Sequence, residues 1–217
     1  MILVPVKNLS TAKQRLAALL DQPTRTALAK AMLQDVMEAI HAWRERPPVA
    51  LVTSDEFAMS AAQKFGFEII PDKENRSETD AIAMATEVCV QRRVESTLVI
   101  PADIPLVTPA DLERITRSVP SDGSVLVASH DHRGSNAIWR KPADLFPLRF
   151  GSDSFQPHLA AARATRKPCV VLTLPGIGLD VDDPSDLRKL AAAAGDTHAQ
   201  RFARQLDLSD LPRAASE

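Results

Sequence analysis

The chain has 217 residues, 45% hydrophobic and 25% charged, which is enough for one buried core and little more length than one domain needs. Lys plus Arg number 26 against 28 Asp plus Glu, a formal charge of −2, so the balance favours neither a nucleic-acid nor a membrane partner. With only 7 glycines, neither the Gly-x-Gly-x-x-Gly dinucleotide loop nor the Walker A phosphate loop can be drawn, and both familiar nucleotide cradles are excluded.

Met1 to Val6 is an apolar run predicted as the first strand, ending at Lys7. Ser10 or Thr11 can cap a helix running to about Leu20. A second helix is expected from about Pro23, with Leu28, Met32, Val36 and Ile40 at helical spacing, until Pro47-Pro48 stops it. Val49 to Val52 reads as a buried strand, Glu56 to Lys64 as a helix, Phe67 to Ile70 as a strand and Glu78 to Arg93 as a helix. Thr97 to Ile100 is a short strand followed at once by the stiff turn Pro101-Ala102-Asp103-Ile104-Pro105, and Pro109 to Arg117 is the next helix.

Val125 to Ser129 and Asn136 to Trp139 are strands on either side of a polar loop, His130 to Ser135, that suits a hairpin or a wide connection. Ser154 to Ala164 is predicted helical, Cys169 to Leu174 a strand and Pro184 to Ala194 a helix, with His198 on a further helix. After about Asp207 apolar residues become scarce, so 207–217 is expected as a loosely held tail. The alternation predicts one α/β domain over 1–206, with a layered sheet.

No apolar run reaches the roughly 18 residues that span a bilayer. The first residues lack the basic region of a signal peptide. Cys89 and Cys169 are far apart and unaccompanied by histidine pairs, so two buried thiols, a reducing cytoplasm and no zinc site are expected.

In open parallel sheets ligands bind beyond the carboxyl ends of the strands, where helix amino-termini point into the cleft. Three groups follow strands here. The first is Pro5 to Arg15, where Lys7, Lys13 and Arg15 surround one strand-to-helix turn and could cradle a triphosphate. The residues leave open a second reading, in which Lys13 and Arg15 occupy the solvated side opposite Leu16 and Leu19. The second is Asp103, between two prolines: a carboxylate suited to a divalent cation, although a lone Asp in a turn is more often a helix cap or an Asx turn. The third is Leu179-Asp180-Val181-Asp182-Asp183-Pro184, in which Asp180 and Asp182 alternate on an extended segment and can share a side. Asp183 or Ser185 is better explained as the cap of the helix that Pro184 opens. With Asp103, Asp180 and Asp182 would form an oxygen-rich site for one or two Mg²⁺ ions.

Gly134-Ser135-Asn136 and Phe150-Gly151-Ser152-Asp153-Ser154-Phe155 can each present backbone amides to a small phosphorylated acid, with Arg133 and Arg149 adding charge. Two ordinary turns, with Ser152 or Asp153 as a helix cap, are the other reading. His158 can face either site or core, and it is not expected as a catalytic base, because a phosphate monoester is already ionised at neutral pH. No aromatic ladder for base stacking on nucleic acid is visible.

In this order the segments Leu3-Val4-Pro5-Val6-Lys7, Ala12-Lys13-Gln14-Arg15-Leu16, Met32-Leu33-Gln34-Asp35-Val36, Pro101 to Leu106, Arg133 to Ala137, Phe150 to Phe155 with His158, and Asp180 to Leu187 resemble the phosphoenolpyruvate or 2-phospho-L-lactate guanylyltransferases of coenzyme F420 biosynthesis. The match runs over nearly the whole chain. The resemblance implies a glycosyltransferase-A-like nucleotidyltransferase fold: a mostly parallel central sheet, helices on both faces and a small β excursion over the site. It implies a cytoplasmic enzyme that joins GMP from GTP to the phosphate of phosphoenolpyruvate, 2-phospho-L-lactate or 3-phospho-D-glycerate and releases pyrophosphate. Asp103, Asp180 and Asp182 would hold Mg²⁺. Asn136, Gly151 and Ser154 would hold the acceptor phosphate, and Pro5, Lys7, Lys13 and Arg15 would border the nucleotide, with Lys7, Lys13 and Asp103 as the catalytic set. A homodimer is compatible with the resemblance.

Where many family members carry Gly-Leu-Asn, this chain has Ser77-Glu78-Thr79-Asp80-Ala81. Glu78, Thr79 and Asp80 are expected near base and ribose, and a carboxylate there can accept from guanine N1 and its exocyclic amine. Two other readings share these residues: a nucleotidyltransferase acting on a molybdopterin or sugar phosphate, and a nucleotide-binding regulator without turnover. Pure binding does not require three metal-placing carboxylates, which counts against the regulator.

Overall fold

A computed structural model describes residues 1–151 and 153–206. Ser152 and the predicted tail, 207–217, lie outside the described residues. Among the described residues seven strands run in order as β1 (Ile2–Val6), β2 (Val49–Thr53), β3 (Glu68–Pro71), β4 (Thr97–Val99), β5 (Gly123–Ala128), β6 (Ser135–Lys141) and β7 (Cys169–Leu172). The helices are α1 (Gln22–Ala42), α2 (Glu56–Phe65), α3 (Glu78–Gln91), α4 (Pro109–Arg117), α5 (Phe155–Ala164), α6 (Pro175–Gly178), α7 (Pro184–Ala192) and α8 (His198–Gln205).

All seven strands join one sheet in the order β3-β2-β1-β4-β6-β5-β7. Each pair is parallel except β4 with β6 and β5 with β6, so β6 alone runs against its neighbours. The expected β excursion over the site is therefore absent from the described residues; β5 and β6 are woven into the sheet instead. Strand alternation sends side chains to two cores. Ile2, Val4, Leu51 and Val127 face the layer that holds α1, α2, α4, α7 and α8, while Leu3, Val52, Leu126 and Ile138 face α3 and α5. Central strands buried on both sides need continuous apolar runs, which is why β1 and β2 lack a polar alternation.

The longest helix, α1, begins where the Asp21 side chain accepts from the Thr24 amide and Pro23 sits in the first turn. It buries Leu28, Met32, Leu33, Val36 and Ile40, all at most 1% exposed, each worth about 1.5–3 kcal/mol of burial. Asp35, on the same helix, accepts from the His198 and Ala199 amides at 2.7 and 2.8 Å and so caps α8.

The helix expected from Ser10 or Thr11 to Leu20 does not form. Two short 3-10 turns, Leu9–Thr11 and Gln14–Leu16, stand in its place, separated by Lys13 in left-handed backbone (φ 54°, ψ 47°). A lysine in that region costs roughly 1 kcal/mol or more, so tertiary contacts must hold it. Of the two cysteines, Cys89 is buried and Cys169 only half-buried. Among the described residues, no helix is long and apolar enough to cross a membrane.

Candidate active site

β1 and β4 are adjacent and parallel, with Ile2 opposite Leu98 and Leu3 opposite Val99, so the chains leaving their carboxyl ends emerge side by side. The loop after β1 is pinned by the Leu9 amide, which donates to Asp55 Oδ2 at 2.9 Å. The stiff turn after β4 is pinned through Asp103, whose carbonyl accepts from the Val181 amide at 3.1 Å. That bond lays the extended segment Asp180–Asp182 against the turn. The cap of α7 keeps the segment short: Asp183 accepts from the amides of Ser185 and Asp186, as the sequence suggests.

These constraints bring Lys13 inward. Its Nζ lies 2.6 Å from Asp103 Oδ2 and 2.9 Å from Asp182 Oδ1, and only 8% of the side chain is exposed. Arg15, 64% exposed, reaches Asp182 Oδ2 at 3.4 Å. Burial disfavours the Lys13 charge, but Asp103 and Asp182 outweigh it and hold the ammonium above its ordinary value. Burial likewise disfavours the Asp182 carboxylate, and Lys13 and then Arg15 overcome it, so that group is held low. Among the described residues no cation pairs with Asp180 in this way. Burial, reinforced by Asp103, pushes it up to about 6, although it accepts from Asn136 Nδ2 at 3.1 Å.

Two cavities adjoin at this cluster. The larger, about 580 Å³, runs from Pro5, Lys7 and Gln14 to Met32 on α1. The smaller, about 360 Å³, is bordered by Ser135, Asn136, Gly151, Ser154 and Asp180. Arg15, Glu78, Pro101, Asp103 and Asp182 line both, so the aspartates stand at the junction.

The expected nucleotide set divides. Pro5, Lys7, Lys13, Arg15 and Glu78 line the larger cavity; Thr79 and Asp80 do not. Lys7 Nζ donates to the Arg76 carbonyl at 2.8 Å, linking the mouth of that cavity to the loop before α3. Glu78 stands at the junction, and burial with the nearby Asp103 charge pushes its carboxyl up to about 8. Asp80 instead accepts from the Ser77 hydroxyl at 2.7 Å while its amide donates to Ser77 Oγ, which closes the cap of α3. The Thr79 hydroxyl accepts from the Phe150 amide at 2.9 Å, so it serves the loop beside the smaller cavity.

The expected acceptor set, Asn136, Gly151 and Ser154, converges on the smaller cavity. Asn136 Nδ2 is spent on Asp180 and on the Ile177 and Gly178 carbonyls at 2.9 and 3.3 Å, so this amide orients Asp180. Gly151 has φ 141°, a conformation closed to other residues without strain, and a Cβ there would point into open space. Ser154 Oγ accepts from the Ser135 amide at 3.2 Å. Arg133 is drawn off into an exposed pair with Asp153 at 2.6 Å. Ser135 lies in the segment expected there, whereas Ser129, which lines the smaller cavity and whose hydroxyl accepts from the Gly134 amide at 2.7 Å, carries no sequence signal as the last residue of a predicted strand. Asp35, Glu38 and His198 have ligand atoms within 4.8 Å of one another, but there Asp35 is the α8 cap.

The chain matches the family described as guanylyl transferase, CofC like, over residues 1–217. It is 33% identical over 193 residues to a phosphoenolpyruvate guanylyltransferase of Sphaerobacter thermophilus, covering 88% of this chain and 92% of that one. It is 29% identical over 215 residues to a 2-phospho-L-lactate guanylyltransferase of Methanothermobacter thermautotrophicus, covering 99% and 94%. Among solved structures, a candidate nucleotide-diphospho-sugar transferase of Desulfovibrio desulfuricans G20 superposes with a TM-score of 0.75, over 94% of this chain and 93% of that one, at 16% identity. That likeness concerns the fold, a mixed α/β nucleotidyltransferase type with a mostly parallel sheet.

Proposed function

This chain belongs to the CofC-like guanylyltransferase family, and on that premise we propose that it transfers GMP from GTP to the phosphate of a three-carbon phosphorylated acid, phosphoenolpyruvate, 2-phospho-L-lactate or 3-phospho-D-glycerate, in coenzyme F420 biosynthesis. The observation that carries the reading is the pair of cavities that meet at Asp103 and Asp182. The larger suits a nucleoside triphosphate and the smaller, polar one a compact dianion. Their shared wall is where an oxygen of the acceptor phosphate would bond to the α-phosphorus while the bond to the departing pyrophosphate breaks. No base is required, since the acceptor phosphate is ionised at neutral pH.

The donor chemistry of Asp103, Asp180 and Asp182 suits Mg²⁺. They are oxygen donors only, and a cation already stands between two of them in the form of the Lys13 ammonium. Asp180, crowded by Asp103 and lacking a cation of its own, is raised toward its neutral form. Among the described residues the three carboxylates do not all lie within 4.8 Å of one another. Bound Mg²⁺ supplies charge neutralisation at the attacked phosphorus and the departing pyrophosphate. Lys7 and Arg15 border the larger cavity and face the nucleotide phosphates as cations. Asn136 holds Asp180 in orientation, and Gly151 and Ser154 offer backbone amides to the acceptor phosphate.

The test is pyrophosphate release with product mass, for each nucleoside triphosphate against a panel of acceptors. Release with GTP and a three-carbon acid is expected. Release with a sugar 1-phosphate and none with the acids would overturn the reading, as would tight GTP binding with no acceptor that turns over.

A further inference from the structure

His158 is 1% exposed on α5, and the reaction above gives it no proton to move. Both of its ring nitrogens are nevertheless occupied. Nε2 accepts from the Arg149 amide at 2.8 Å, and Nδ1 lies 2.9 Å from Ser135 Oγ. Because Nε2 accepts, a neutral ring carries its hydrogen on Nδ1 and donates to the Ser135 hydroxyl. Burial, with the Arg140 charge nearby, keeps the ring neutral by pushing it down to about 4.

These two bonds tie together separate walls of the smaller cavity. Ser135 begins β6 beside Asn136, and its amide donates to Ser154 Oγ. Arg149 leads into Phe150, whose amide is taken by Thr79 Oγ1 at 2.9 Å and whose ring meets the imidazole edge-on at 5.3 Å. Two consecutive amides are thus satisfied away from the cavity, and the next residue, Gly151, emerges at its rim in positive φ. The His158 amide itself donates to the Ser154 carbonyl at 3.1 Å. A dianion held by backbone amides is bound only as well as those amides are aligned, and an error of about 1 Å can cost on the order of 100-fold.

We propose that His158 is the positioning residue of the acceptor site: its imidazole bridges Arg149 and Ser135, and so sets the amides of Gly151 and Ser154 against Asn136 before the phosphorylated acid arrives. The inference rests on the smaller cavity being the acceptor site. It assigns His158 a role in acceptor affinity and none in nucleotide affinity.

The experiment compares His158→Phe, His158→Gln and Gly151→Val with the parent chain, measuring KM for phosphoenolpyruvate and for GTP, kcat, and thermal midpoint. His158→Phe keeps the ring volume and loses both bonds; it should raise the phosphoenolpyruvate KM by ~10-fold or more, the equivalent of one buried hydrogen bond, with GTP KM within about twofold. His158→Gln can still accept from Arg149 through Oε1 and should recover part of that loss. An unchanged phosphoenolpyruvate KM in His158→Phe, with Gly151→Val impaired, overturns the role of His158 alone. An unchanged value in Gly151→Val overturns the acceptor site and the inference with it. Equal rises in both KM values mean a general structural role and also overturn it. Should His158→Phe fail to fold, the ring ¹⁵N shifts of the parent protein decide: a neutral Nδ1–H tautomer is required, and Nε2–H or a charged ring at pH 7 overturns the proposal.

Discussion

Lys13 Nζ and Asp103 Oδ2 meet at 2.6 Å, which closes the space between the turn after β1 and the turn after β4, 90 residues apart. The same ammonium reaches Asp182, so one cation satisfies carboxylates from two loops. That bond explains why Lys13 tolerates left-handed backbone: an inward lysine removes like-charge crowding among aspartates worth more than its strain.

Lys13→Met should therefore weaken the protein chiefly in the absence of metal. With Asp103 and Asp182 still 29% and 39% exposed, solvent screens part of the loss, and a cost of about 2 kcal/mol is expected. Added Mg²⁺ should raise the thermal midpoint of this variant more than that of the parent. Equal Mg²⁺ shifts in calorimetry would mean that Lys13 does not occupy cation space. Turnover should fall by about 100-fold or more.

Asp103→Asn keeps size and shape but makes a much poorer ligand for a hard cation. Turnover should drop by at least about 100-fold with the thermal midpoint nearly kept, because Lys13 retains Asp182. A Mg²⁺ titration of rate would show a raised half-saturation. A rate within threefold of the parent at ordinary Mg²⁺ would remove Asp103 from the metal site.

In the proposed acceptor site Ser154 has two roles, its hydroxyl toward Ser135 and its backbone amide toward the acceptor. Ser154→Ala strips the acceptor from the buried Ser135 amide and should cost about 1–2 kcal/mol of stability with a modest rise in acceptor KM. Ser154→Pro removes the backbone amide as well and should raise acceptor KM much further. Isothermal titration with phosphoenolpyruvate gives the comparison, and equal affinities for the two variants would rule out the backbone contact.

Stability should respond to acid through His158. Its folded value is about 4, against about 6.5 in an unfolded chain, so between those values the unfolded state binds the extra proton and stability falls as pH falls. The full contribution is on the order of 3 kcal/mol. Asp180, raised to about 6, works in the opposite sense: its stabilising proton is lost as pH rises through that value. Urea melts at pH 7, 5.5 and 4.5 on the parent and His158→Gln cancel the Asp180 contribution, which both share. The parent should lose ground to the variant as pH drops; parallel curves would contradict the neutral buried ring.

Much of this was legible in the residues. Continuous apolar runs marked β1, β2 and β4, and the polar residues just after them proved to be Lys7, Lys13 and Asp103 at the cleft. Asp180 and Asp182 alternated as an extended segment should, and the α7 cap fell on Asp183. The inward turn of Lys13 was illegible, since Leu16 and Leu19 satisfy a helical period and the deciding partners lie far along the chain. Thr79 and Asp80 stand at a helix amino-terminus, which favours ligands and caps alike; their side chains bond to Phe150 and Ser77, and neither lines the larger cavity. The mostly parallel sheet is found as expected, and its one reversed strand, β6, follows the polar 130–135 loop that suits a hairpin.

The reversed strand β6 has a further consequence. A parallel strand would deliver its carboxyl end to the cleft; β6 delivers its beginning, so Ser135 and Asn136 arrive there from a tight return out of β5. The wall around the smaller cavity is thereby carried by a hairpin turn and one loop, while the register of β1 with β4 and β2 is set elsewhere. If the smaller cavity takes the acid as proposed, lengthening or reshaping residues 130–134 would alter which acid fits and leave the triphosphate side standing. On that assignment the cleft is divisible: acceptor preference would drift by small changes in one turn while the phosphoryl chemistry stays fixed.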